Sequence, residues 1–431
     1  MSPAELLAQL VRFETVNPPG REAACIGFLR EHLRAAGIES RVFALDPERP
    51  NLVARVEGRG EAPPLLLYGH VDVVPVDGQS WSAPPFAAEE RDGFMWGRGT
   101  LDMKAGVAMF VSAFMRAAAD PPPGDVLLCV LSDEEAGGVH GARFMVEQHA
   151  EQLQGVRHAL GEFGGFTLHM AGRRLYPVMV GEKQSCRVIA SVEGPGGHGA
   201  LPMRGGTVAR LGRLLEILDR RRLPVHVTPP VRLMVEALAA ALPGPRALVV
   251  RRLLQPALTD RVLDLMGAEG RALDALLHNT VNATVVRAGG KLNVVPARAE
   301  VELDARLVPG AGPGDLVAEL RALLGAGVRF RIDQYDPGPA AVDMSGFEIL
   351  AGVLREADPG GRPIPLVLPA VTDARHLARL GIQTYGFTPM RLPAGFDFMS
   401  TIHAADERIP AGEVEWGAAA VWEAVSRWSA D

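Results

Sequence analysis

Val126-Leu-Leu-Cys-Val-Leu-Ser-Asp-Glu-Glu-Ala-Gly-Gly138 sets six apolar residues almost directly against three acids. Six apolar positions without alternation describe a strand covered on both faces, as in the interior of a mixed α/β sheet. The acids then stand just beyond its carboxyl end, where open α/β sheets carry their active sites. Acid runs are usually solvated faces. At a strand end, however, adjacent carboxylates also suit a division of labour, one held by a metal and its neighbour free to take a proton from water.

Upstream of this stretch the pattern predicts helices near 4–13 and 22–36, strands near 40–44, 51–56 and 65–69, and a helix near 105–118. Ser2 followed by Pro3 reads as a capped helix start. Downstream, alternating strands at 187–192, 283–287 and 299–305 bracket long helical stretches near 206–222 and 231–276. A helix near 313–324, a strand at 327–333 and helices near 345–356 and 372–380 then resume the α/β pattern. The predicted fold is α/β: a mixed-sheet catalytic domain with helices on both faces, built from 1–185 and 308–431. An α+β domain over 186–307 is inserted in it. No internal repeat is visible, and Pro121–Gly124 and Pro309–Gly314 are short enough to be turns.

The chain has 431 residues, 48% hydrophobic and 22% charged, which is ample for two cores and far from a disordered composition. A net charge of −7, with basic residues scattered or in short Arg pairs, argues against nucleic acid as a partner. No uncharged apolar run reaches the ~18 to 20 residues that a membrane span needs. No basic leader followed by an apolar run opens the sequence. Cys25, Cys129 and Cys186 form no CxxC pair, and the expected location is a reducing cytoplasm.

Other residues could join Glu134 and Glu135. Leu65-Leu-Leu-Tyr-Gly-His-Val-Asp72 is a buried strand that ends by presenting His70 and Asp72, two apart and pointing the same way. A metal-bound imidazole usually donates its other N–H to a carboxylate, and Asp72 is placed to accept it or to hold a neighbouring group. Asp102, in Trp96-Gly-Arg-Gly-Thr-Leu-Asp-Met-Lys-Ala-Gly106, precedes a helix, where a carboxylate also serves as a cap. The glycines there do not form a phosphate loop. Glu162 in Gly161-Glu-Phe-Gly-Gly165 and His403 in Met399-Ser-Thr-Ile-His-Ala404 complete the candidates.

In order, spacing and flanking sequence these motifs resemble the metallopeptidase family of aminoacylases, carboxypeptidase S, glutamate carboxypeptidase, acetylornithine deacetylase and succinyl-diaminopimelate desuccinylase. The most specific pieces are Gly69-His-Val-Asp-Val-Val-Pro75, Gly97-Arg-Gly-Thr-Leu-Asp-Met-Lys104, Asp133-Glu-Glu135, Gly289-Gly-Lys-Leu-Asn-Val-Val-Pro296 with Asp304-Ala-Arg306, and Thr372-Asp-Ala-Arg375 leading to His403. The resemblance implies two Zn²⁺ per chain, with Co²⁺ or Mn²⁺ acceptable to the same donors. His70 and Glu162 would hold one ion, Glu135 and His403 the other, and Asp102 both. Asp72 would orient His70, and Glu134 would be the general base acting on the bridging water. Gly196-Gly-His-Gly-Ala-Leu-Pro202 resembles the segment whose histidine, here His198, reaches across a homodimer to the oxyanion. Asn293 and Arg306 match substrate-lining positions, and Arg375 matches a clamp for a free carboxylate.

What the resemblance implies is hydrolysis of an amide in an N-acyl amino acid or small peptide with a free carboxylate. A dipeptidase using the same machinery and a catalytically silent binding protein are the competing readings. The stretch Leu211–Leu277 resembles the longer insertion of the carboxypeptidase S-like branch. Helices packing on a core of their own are expected there, and accommodation of a hydrophobic acyl group is the sharper alternative.

Overall fold

In the computed structural model, residues 1–338 and 341–429 are described. The decisive apolar stretch is a strand, Val126–Leu131, with all six residues buried. It lies inside a nine-stranded sheet in the order Ser40–Phe43, Asn51–Val56, Val126–Leu131, Leu65–His70, His158–Gly161, Gln383–Gly386, Arg173–Glu182, Gly361–Leu368, with Leu168–Met170 beside Arg173–Glu182. The four strands from Val126–Leu131 to Gln383–Gly386 are mutually parallel, and antiparallel pairs flank them. Parallel strands covered on both faces are buried along their length, as Leu65–His70 and His158–Gly161 also are.

One face of this sheet is covered by the helix Lys104–Ala119, which packs on Glu413–Ser426 and Pro3–Val11. Phe110, Phe114, Val107 and Met109 are fully inside that layer. The helix Pro3–Val11 begins at Ser2, whose hydroxyl accepts from Glu5 N while Glu5 accepts from Ser2 N, a reciprocal cap. The other face is filled by Phe144, Met145, Val146, Leu153 and Leu377 against Leu66, Tyr68 and Leu127.

A second sheet of four antiparallel strands has the order Thr280–Ala288, Arg298–Leu307, Gln184–Glu193, Val328–Asp336. Its inner face carries Val188, Ala190, Val301 and Leu303 under the helices Thr207–Arg220 and Pro313–Leu324. Val328–Asp336 pairs along Gln184–Glu193 instead of joining the large sheet, so strand pairing in this sheet extends beyond the expected boundary at 307. In Val328–Asp336, Val328, Phe330 and Ile332 are half-buried and alternate with exposed Arg329, Arg331 and Asp333, the pattern of a sheet with one wet face.

The long helical stretch near 231–276 is four helices, Pro229–Ala241, Pro245–Arg252, Pro256–Met266 and Ala268–Leu277, broken by Gly244, Gln255 and Gly267. They share a core of Val231, Met234, Val235, Leu253 and Leu263, and that core also takes in Leu366 and Val367 from the edge of the large sheet. The helices therefore do not pack on themselves alone. They bridge the inserted segment to the large sheet.

Candidate metal centre

Three neighbouring parallel strands deliver acids and an imidazole at their carboxyl ends: His70 from Leu65–His70, Glu134 and Glu135 after Val126–Leu131, and Glu162 after His158–Gly161. Asp102 comes from the loop before Lys104–Ala119, and His403 from the loop before Arg408–Pro410. The five expected donors meet. His70 Nε2 lies 3.2 Å from Asp102 Oδ1 and 3.6 Å from Glu162 Oε2. On the other side of Asp102, His403 Nε2 lies 3.1 Å from its Oδ2 and 3.3 Å from Glu135 Oε1. Two clusters thus share one carboxylate, His70 with Asp102 and Glu162, and Asp102 with Glu135 and His403.

The donor set fits divalent cations. Among the described residues, buried His70 Nε2 and Glu135 Oε1 have charged neighbours but no well-formed hydrogen bond, and such groups in a folded interior call for a partner. Nitrogen with carboxylate oxygen is the donor chemistry of Zn²⁺, with Co²⁺ and Mn²⁺ also compatible. The electrostatics of the donor set point the same way. Burial opposes a charged His70, but the adjoining carboxylates of Asp102, Asp72 and Glu162 outweigh it and push its pKa well up. The adjoining carboxylates of Asp102 and Glu135 carry His403 to about 10. Burial raises Glu134, Glu135 and Glu162, and for Glu134 the nearby Glu162 adds to the rise. Carboxylates crowded in a buried pocket call for positive charge to balance them.

Asp72 divides its attention. His70 Nδ1 stands 3.0 Å from the Asp72 main-chain oxygen and 3.4 Å from its Oδ1, so the shorter contact is to the main chain. The Asp72 carboxylate accepts from the main-chain N–H groups of Glu134 and Glu135, each at 3.1 Å. It thereby fixes the backbone that carries both acids. No hydrogen bond or ion pair holds the Glu134 carboxylate among the described residues, and the group is half-buried.

A pair that the sequence did not flag supports the opposite wall. Arg98 and Glu407 are both buried and joined at 2.7 Å. Glu407 Oε1 accepts from Leu101 N at 2.7 Å and Asp102 N at 3.2 Å, while Arg98 donates to the main-chain oxygens of His403 and Ala404 at 3.3 and 3.1 Å. One ion pair thus holds the two loops that bring Asp102 and His403 together.

The substrate-side residues are less gathered. Arg375 does lie at the acid loop: its Nη2 is 3.9 Å from where a Cβ on Gly137 would stand. Facing it are two buried carboxyls, Glu182 and Asp373, which burial pushes up to about 8 and about 7. His198 is exposed on the small ladder Gly197–His198 with Val294–Val295, its Nδ1 accepting from Ala200 N. Asn293 is exposed, and Arg306 pairs with Asp304 at 3.0 Å. Among the described residues, no hydrogen bond or ion pair joins His198, Asn293 or Arg306 to the cage of their own chain.

Comparison with known proteins places this geometry. The description "Peptidase family M20/M25/M40" matches residues 66–427. The chain is 30% identical over 430 residues to the succinyl-diaminopimelate desuccinylase of Paracoccus denitrificans (strain Pd 1222), covering 96% of this chain and 94% of that protein. It is 29% identical over 369 residues to the N-fatty-acyl-amino acid synthase/hydrolase PM20D1 of Xenopus tropicalis, covering 82% of this chain and 70% of that protein. The fold is similar to that of the M20 family metallo-carboxypeptidase Sso-CP2 from Sulfolobus solfataricus, with a TM-score of 0.69 at 17% identity over 99% of each chain. The family match opens inside the strand that ends at His70 and closes beyond His403, so it contains each of the five donors. The chain belongs to peptidase family M20/M25/M40 and is a hydrolase of amide or peptide bonds.

Proposed function

We propose that the protein hydrolyses the amide bond of small N-acyl amino acids whose amino-acid part keeps a free α-carboxylate. The observation that carries this reading is the pair of imidazole–carboxylate clusters sharing Asp102, with the unbonded Glu134 carboxylate beside them. His70, Asp102 and Glu162 would hold one Zn²⁺, and Asp102, Glu135 and His403 the second. Two such ions supply Lewis acidity to a carbonyl and acidify water toward neutral pH.

The chain's own groups account for the rest. Glu134 accepts the proton of the attacking water and returns it to the departing amine. Asp72 keeps Glu134 in place through its main-chain N–H. Arg375 receives the substrate carboxylate on its planar fork, with Asn293 and Arg306 lining the remainder. His198, without a contact to its own cage, donates to the oxyanion from a second copy. A homodimer is supported by the edge strand Thr280–Ala288, which exposes Val285 and Val286 near exposed Leu292 and Val294 in sequence. Three free, buried cysteines suit a reducing cytoplasm. Among the described residues, no helix is long and apolar enough to cross a membrane.

The cleft of about 1300 Å³ beside the inserted helices is lined by charged Arg222, Asp260 and Asp274 together with apolar Leu223, Val225 and Leu323. A panel of N-acetyl, N-succinyl and N-lauroyl amino acids and dipeptides on zinc-loaded protein tests the reading. Acylated amino acids should show the higher kcat/KM, by about tenfold or more. Faster turnover of dipeptides would make the protein a dipeptidase instead.

A further inference from the structure

The turn that carries Glu134 and Glu135 is held from below by side chains that no motif includes. Asp133, the residue between the strand and the two glutamates, has φ +71, a left-handed conformation that a non-glycine residue keeps only when its surroundings impose it. Its Oδ1 lies 2.8 Å from Arg49 Nη1 and accepts from Asn17 Nδ2 at 3.1 Å, and its Oδ2 accepts from His140 N at 2.9 Å. Arg49 reaches on to Glu22 through two bonds of 2.9 and 3.3 Å. Asn17 Nδ2 also donates to Asp72 Oδ2 at 2.8 Å, and Asp72 in turn receives the N–H groups of Glu134 and Glu135.

Two routes therefore converge on the main chain of 133–135: Glu22 to Arg49 to Asp133, and Asn17 to Asp72. Every member is inside the protein, with Glu22 and Asp72 at 0%, Asp133 at 2%, Asn17 at 4% and Arg49 at 7% exposure. Gly20, at φ +81, walls the guanidinium so closely that a Cβ there would stand 2.2 Å from Arg49 Nε. Three carboxylates against one guanidinium cost desolvation that an apolar filling would not, so stability alone is a poor account of them.

We infer that Asn17, Arg49 and Glu22 are positioning residues that set the aim of Glu134 and the seat of Glu135, although none of the three lies in the cage. The inference rests on reading Glu134 as the proton acceptor. Its logic is geometric: a displacement of about 1 Å in a reacting group can cost about a hundredfold in rate.

Asn17→Ala removes both amide hydrogen bonds and leaves no charge without its partner. It should lower kcat about 10- to 100-fold with KM within about twofold. Thermal midpoint and cation content should stay near wild type, while the visible absorption of the Co²⁺-loaded protein shifts as Glu135 moves. Arg49→Lys, which keeps the charge without the fork, should recover part of the kcat lost in Arg49→Met. Wild-type kcat in Asn17→Ala, or a loss in proportion to lost cation or folded fraction, overturns the inference. Glu134→Gln measured alongside separates the two claims. If it abolishes turnover while Asn17→Ala is unaffected, only the positioning role falls. If it leaves turnover intact, the proton-acceptor reading falls first.

Discussion

In the proposed reaction the residue that decides the chemistry is Glu134, an acid at the cage that neither cluster uses. Glu134→Gln preserves shape and removes the base, so kcat should drop by about 10²- to 10⁴-fold while both cations stay bound. Parallel kinetics and metal analysis check this, and a drop of less than tenfold would assign the proton transfer elsewhere. His70, Asp102 and the acids stand out in the sequence at strand ends and a helix start, but only the family resemblance joins them into one ordered set. Arg98, Glu407, Asn17 and Arg49 do not stand out. A charged residue bound for the interior looks like a surface residue until its partner, 309 positions away for Arg98, is known. His198, Asn293 and Arg306 were named from resemblance, and within one chain nothing gathers them to the cage.

At the scale of elements, the cage is a meeting of loops held by buried ion pairs, so its integrity should follow those pairs. Removing one partner of a buried pair leaves an uncompensated charge, which costs about 3–5 kcal/mol. Glu407→Ala should therefore lower stability by about that amount, read from urea unfolding, and loosen the loops carrying Asp102 and His403. Glu407→Gln, which can still accept from Leu101 N, should lose less; equal losses would mean that the main-chain contacts do not matter. The strand 328–336 shows where a linear reading runs out. Its existence was plain, but sheet membership was inferred from its position after the insertion. Its alternation is the better signal, since the parallel strands of the large sheet are buried on both faces whereas this one has a wet face.

At the scale of the whole molecule, the two units are joined where Glu182, Lys183 and Gln184 pass from the large sheet to the small one. Lys183 is buried and donates to His278 O and Thr280 Oγ1, both at 2.9 Å. Burial, with Arg306 adding, brings its pKa down from 10.5 to about 7. The unfolded chain then binds one more proton than the folded chain between those values, so stability rises with pH across that window. Lys183→Met should flatten the rise by up to about 1.4 kcal/mol per pH unit, seen in unfolding midpoints from pH 7 to 10. Unchanged slopes would mean that Lys183 stays charged in the fold. The central claim is a cage for two cations that share Asp102, and counting bound ions per chain tests it most directly. Wild type should hold close to two Zn²⁺, His70→Ala and His403→Ala close to one each, and Asp102→Ala fewer than one. A single ion in wild type, or two retained without Asp102, would contradict the account.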